Sequence, residues 1–213
     1  MNEFLEWLRY LTDSEEVIMT GGLALVTLIV YAENGLFFAF FLPGDYLLFL
    51  TGVFGGTGIL NYPLWILLLC LFTAAVLGSL TGYYFGKFFG ERLEHRPDSR
   101  FFKKEYLTST RKYFTKYGSR TLIISRFLPV IRTFAPILAG LIRMRLSSFL
   151  LFNVIGGALW VLSLVSAGFY FGIKFPGIVN YVHWIIIFFL AITSFTVVKG
   201  YLNARNESRK MQE

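Results

Sequence analysis

Tyr46–Gly86 reads YLLFLTGVFGGTGILNYPLWILLLCLFTAAVLGSLTGYYFG, 41 residues without one Asp, Glu, Lys or Arg. A helix needs roughly 20 predominantly apolar residues to cross a bilayer, so this stretch is about twice that length. Its second half, Leu64–Gly86, is a clean span, and Gly78 and Gly82 give it a small-residue face for close helix packing. Its first half ends in Gly52, Gly55, Gly56 and Gly58, which read as a loop. Composition agrees: 55% of residues are hydrophobic, 15% are charged, and mean hydropathy is +0.60. A soluble domain carries about 25% charged residues, so this chain lacks the polar surface to cover itself in water. The expected class is an all-α integral membrane protein, with residues 1–213 forming a single membrane domain.

Toward the N-terminus, Pro43-Gly44-Asp45 breaks an apolar segment that holds Glu33. Val17–Tyr31 is apolar but short, and residues 1–16 place Phe4, Leu5, Leu8 and Leu11 at helical spacing among acids, as a surface-lying amphipathic helix does. Those acids are the reverse of the basic start of a signal peptide. Toward the C-terminus, Glu91–Tyr117 interleaves aromatics with Lys and Arg and reads as a basic interfacial helix. Thr121–Leu141 is apolar but interrupted by Arg126, Pro129, Arg132 and Pro136. Ser147–Gly172 and Trp184–Val198 are further spans.

Two matches occur at one offset. Phe41-Leu42-Pro43 returns 86 residues later as Phe127-Leu128-Pro129, and Gly82-Tyr83-Tyr84-Phe85-Gly86 returns as Gly168-Phe169-Tyr170-Phe171-Gly172. The shared offset indicates a duplicated unit of amphipathic helix, Pro-broken hairpin and transmembrane helix. Repeat 1 covers about residues 1–86 and repeat 2 about 87–172, with an extra span at about 182–200. Lys87–Arg120 holds ten Lys or Arg, so this loop is expected in the cytoplasm. Arg143, Arg145 and the basic tail join it there only if the second broken segment enters and returns on one side. Both hairpins then become re-entrant and the two repeats inverted, a plan shared by many secondary transporters.

Charges in hydrocarbon cost at least about 2.5–3.5 kcal/mol each, so they need partners or water. The first hairpin carries Glu33 and Asp45 around Pro43 and Gly44. The second carries Arg126 and Arg132 around Pro129, with Pro136 a further break. Together the four sum to zero. The expected site is therefore midplane, with Arg126 and Arg132 gripping an anionic group and Glu33, ahead of Asp45, as the protonatable acid. The alternative is that all four are salt bridges pinning the hairpins. Asn153 is placed to hydrogen-bond a hairpin, Trp160 reads as packing, and Lys87, Arg143 and Arg145 as snorkelling cations. The lone Cys70 sits in an apolar run, and His95 and His183 lie apart, so neither a metal site nor an enzyme is expected. The pI of 9.5 reflects bases beside spans, which inner-leaflet orientation explains without nucleic acid.

Several motifs resemble the DedA family of bacterial inner-membrane proteins, which shares its VTT domain with eukaryotic lipid scramblases. They are Glu33-Asn34, Phe41-Leu42-Pro43-Gly44-Asp45, Gly82-Tyr83, Arg126-Phe127-Leu128-Pro129 with Arg132, Gly140, and Asn153, Gly156, Gly157 and Trp160. The resemblance spans roughly residues 20–175. One departure is Ser79, where many members carry Asp after the glycine equivalent to Gly78. The resemblance implies a flippase for polar-headed lipids in the bacterial inner membrane, without a cofactor and coupled to protons. Its lipid would be undecaprenyl phosphate or, alternatively, phosphatidylethanolamine. A small-ion or proton antiporter uses the same broken-helix plan. The sequence leaves open whether the protein forms a homo-oligomer.

Overall fold

The structure, a computed structural model, describes residues 14–36, 44–94 and 118–181, with Trp184 and Ile187. These residues include six α-helices, in chain order α1 (Ser14–Gly35), α2 (Gly44–Gly56), α3 (Leu64–Glu94), α4 (Thr121–Ser125), α5 (Pro129–Leu141) and α6 (Leu146–Lys174). A 3-10 turn over Pro176–Tyr181 comes next. No strand occurs among the described residues. The lead-in at 1–13, Pro43, the basic segment beyond Glu94 and most of the last expected span lie outside the described residues.

Among the described residues, two helices are long and apolar enough to cross a membrane: Leu64–Phe89, with mean hydropathy 2.3, and Leu146–Lys174, with 2.0. Large apolar side chains such as Trp65, Leu69, Leu77, Leu151 and Leu159 stand exposed along both. In water this much apolar surface would drive association; against lipid tails it is the ordinary state. The flanking helices are shorter. The backbone of α1 kinks at Gly22, where φ is 55°, leaving Gly22–Gly35 as the apolar part. At 1.5 Å per residue such a segment reaches about 20 Å, short of the roughly 30 Å hydrocarbon core. Ile131–Leu141 is shorter still.

Glycines set how the helices cross. A Cβ on Gly52 would strike the Val165 carbonyl, and one on Gly168 would strike that of Phe49, so α2 and α6 meet backbone to backbone. Gly86 and Gly140 do the same between α3 and α5, against the carbonyls of Ile137 and Tyr83. Gly78 bears on the Tyr31 carbonyl of α1, which uses the small-residue face expected of α3.

Three expectations are corrected. Gly52, Gly55 and Gly56 are helical rather than loop, because their small size serves the contact with α6; the turn begins at Thr57, with Gly58 at φ 80°. The span from Leu64 does not stop at Gly86 but continues as helix to Glu94. Pro136 does not break its segment, since α5 runs through it. A proline there lacks the N–H that would bond the carbonyl four residues back, which is that of Arg132.

Candidate functional site: a buried charge cluster

The apolar segment from Thr121 breaks at residues 126–128. Arg126, Phe127 and Leu128 donate their N–H groups to Ile123, Ile124 and Ser125 in a tight turn at 3.0–3.2 Å. Leu128 then turns extended (φ −114°, ψ 105°), and Pro129 opens α5 at the position where its missing N–H costs nothing. Arg126 therefore projects from the break itself, and Arg132 from the start of α5. Glu33 and Asn34 end α1, Asp45 begins α2, α3 supplies Ala75 and Ser79, and α6 supplies Asn153 and Trp160.

Arg132 is the hub of an ion cluster. Its Nη2 donates to Glu33 Oε1 and its Nη1 to Asp45 Oδ1 at 2.5 Å. Trp160 Nε1 donates to the same Asp45 oxygen at 2.8 Å, and the Trp160 ring lies 4.5 Å from the Arg132 guanidinium carbon. The indole thus serves both charges, which corrects its reading as packing alone. Asp45 sits in the first turn of its helix, where the dipole favours an acid. Glu33, in the last turn of α1, and Arg132, in the first turns of α5, are each at the unfavourable end of their own helices. Their placement makes sense only as a pair.

Arg126 is held differently. Its Nη2 donates to Ser79 Oγ (2.8 Å), to Asn153 Oδ1 and more weakly to the Ala75 carbonyl (3.5 Å), while Nη1 reaches Asn34 Oδ1 at 3.4 Å. Both amides are oriented from behind: Asn34 Nδ2 donates to the Val30 carbonyl (2.8 Å) and Asn153 Nδ2 to that of Val76 (3.2 Å), turning each oxygen toward the arginine. No carboxylate pairs with Arg126 among the described residues. The two acids and Arg132 carry a net −1, and Arg126 a separate +1.

Glu33 is 1% exposed and Arg126 and Arg132 are 4% each, whereas the Asp45 side chain is 21% exposed, so access to the cluster is from the Asp45 side. Glu33 Oε2, Arg132 Nε and Thr133 Oγ1 are buried without a hydrogen bond among the described residues. Such atoms are expensive unless a ligand, water or proton completes them.

The family comparison bears on this cluster. Residues 42–170 match the VTT domain, a span that takes in Asp45, Ser79, Arg126, Arg132, Asn153 and Trp160. The protein named Protein DedA of Escherichia coli K12 is 41% identical over 151 residues, covering 70% of this chain and 68% of that protein. The chain belongs to the DedA family. Inner membrane protein YqjA of the same strain is 38% identical over 170 residues, 76% of this chain and 73% of that one. An uncharacterized membrane protein of Mycobacterium tuberculosis H37Rv, Rv0364, is 40% identical over 147 residues, 69% and 64% of the two chains. No solved structure matches.

In this DedA-family membrane protein, the four charges singled out for their insertion cost lie in one cluster, together with Asn34 and Asn153. Gly140 lies apart, at the crossing of α5 on α3. Ser79 and the Ala75 carbonyl were not singled out as arginine partners; their i, i+4 spacing on α3 was the available signal. Gly44 has a contact role as well, since a Cβ there would land on the Glu33 carboxylate. Gly44→Ala should therefore push Glu33 off Arg132 and destabilise the fold by about 1–3 kcal/mol, the usual cost of overpacking. Thermal unfolding in detergent checks this, and an unchanged midpoint would place the carboxylate elsewhere.

Proposed function

We propose that this protein translocates a phosphate-headed lipid between leaflets of the bacterial inner membrane. Arg126 receives the headgroup and Glu33 carries the coupling proton. The carrying observation is the Arg126 environment: a buried guanidinium whose hydrogen bonds, among the described residues, go only to neutral oxygens. A guanidinium so placed is oriented but not neutralised, and a phosphate would supply the missing charge. Protonating Glu33 at Oε2, an oxygen with no side-chain partner among the described residues, lets the site take one negative charge while staying neutral. The reading is transport, not bond-making chemistry.

The mechanism takes the two halves as inverted repeats with re-entrant hairpins. The helix after each break packs on the other half's long helix, α2 on α6 and α5 on α3, as halves related by inversion would. Segments too short to cross fit hairpins that enter and return. The basic loop at 87–120 and the C-terminus then face the cytoplasm.

Undecaprenyl phosphate is the substrate this reading favours over phosphatidylethanolamine. With Ser79 in place of an acid, nothing beside Arg126 among the described residues is suited to an ammonium group, and Glu33 and Asp45 are both engaged by Arg132. The test is flipping in reconstituted vesicles, comparing the two lipids at two opposed pH gradients. Undecaprenyl phosphate should move faster when the leaflet it leaves is the acidic side, and Glu33→Gln should abolish that dependence. Proton or cation flux in vesicles containing neither lipid would instead identify an antiporter.

A further inference from the structure

The Arg126 site occupies only part of the seam between α3 and α6. Ala75 and Ser79 continue a stripe on α3 that begins with Trp65, Leu68 and Phe72; Asn153 and Gly157 continue one on α6 with Ala158, Val161 and Leu162. The α3 set is spaced by three or four residues and lies on one helix face; on α6, Asn153, Gly157 and Val161 follow one another at four-residue steps, with Ala158 and Leu162 beside them. Between the apolar parts of these stripes lies a cleft of about 300 Å³ lined wholly by apolar side chains. Val161 forms its fully buried floor, and Trp65, 64% exposed, stands at its rim. Phe72 is three residues from Ala75, a rise of about 4.5 Å, so the cleft ends one turn from the arginine. At the junction, a Cβ on Gly157 would lie 3.4 Å from Val76 Cγ2 and 3.6 Å from Arg126 Cζ. Only a glycine's width therefore separates the guanidinium from the α6 face of the seam.

We infer that this cleft seats a hydrocarbon chain of the lipid whose phosphate Arg126 receives, an assignment that rests on the lipid reading above. A single hydrocarbon chain is narrow enough to enter a trough of this volume. Polarity also argues for an amphiphile, because one continuous seam offers an apolar trough and then an uncompensated cation. Held at both ends, the lipid would be recognised by chain and headgroup together.

Photolabelling tests this. The full chain is reconstituted in phosphatidylcholine vesicles with a trace of a long-chain monophosphate lipid bearing a diazirine on its chain, and adducts are mapped by mass spectrometry. Adducts should concentrate on Phe72, Ala158 and Val161 over Leu77 and Leu159, which face lipid on the same helices. Arg126→Gln should reduce cleft labelling about tenfold or more, the loss expected for a hydrogen bond to a charged group. Ala158→Trp should reduce it too, while Leu159→Trp should not. Even labelling of cleft and lipid-facing residues, or cleft labelling indifferent to Arg126→Gln, would overturn the proposal. A wild-type protein labelled in the cleft but moving no lipid would uphold the seat and refute translocation, so the two failures are distinguishable.

Discussion

Arg132→Ala should cost the protein much of its stability as well as its transport. The substitution leaves two carboxylates, Glu33 and Asp45, facing one site with no cation between them. Removing one partner of a buried ion pair costs about 3–5 kcal/mol, and the lost contact with the Trp160 ring adds about 1 kcal/mol. Total stabilities are about 5–15 kcal/mol, so the thermal midpoint should fall by on the order of 10 °C or the protein should fail to accumulate. Neutralising the abandoned acids, by Glu33→Gln and Asp45→Asn in the Arg132→Ala background, should recover stability without recovering transport. Full stability in Arg132→Ala alone would mean that the cluster does not hold the hairpins.

Ser79→Asp should do the reverse. A carboxylate at this position would meet Arg126 where the Ser79 hydroxyl now accepts its hydrogen bond at 2.8 Å. The new pair should leave stability unchanged or raised while neutralising the cation the substrate needs. Phosphate-lipid flipping is expected to fall by about 10- to 100-fold, since the headgroup must displace a charge-assisted bond worth about 1.5–3 kcal/mol. Arg126→Gln should lose transport to a similar degree. If Arg126 were only structural, strengthening its contacts with an acid would not impair flipping. The two variants therefore separate a binding cation from a structural one, and they assign to Ser79 a part in selecting the headgroup.

Much of this site was legible in the sequence because charge is costly in hydrocarbon. Four ionisable residues in apolar segments, two of each sign and bracketing two prolines, identify themselves. Their division was not legible. Arg126 and Arg132 look equivalent in sequence, yet a turn places one among amides and the start of a helix places the other between acids. That outcome depends on α3 and α6, whose contributing residues lie 27 to 51 positions from Arg126. The Trp160 bond to Asp45 spans 115 residues. Its one local clue was spacing: Asn153, Gly157 and Trp160 fall on a single face at i, i+4 and i+7. Local rules also misread the first glycine cluster and Pro136. Four glycines within seven residues suggest a loop, but three of them are spent on close contact with α6 and neighbouring side chains. The proline sits where only the Arg132 carbonyl loses a donor, so the helix continues.

The central claim is that Arg126, inside the bilayer, contacts the phosphate of the transported lipid. The most direct measurement is solid-state NMR of the reconstituted protein, with ¹⁵N-labelled arginine side chains and undecaprenyl phosphate, reading ³¹P–¹⁵N dipolar dephasing. The proposed mechanism predicts a lipid phosphorus at hydrogen-bonding distance from a guanidinium nitrogen in the wild-type protein. That signal should be retained in Leu159→Trp and lost in Arg126→Gln and Ser79→Asp. Dephasing no stronger than that of snorkelling surface arginines, or unchanged in Arg126→Gln, would contradict it.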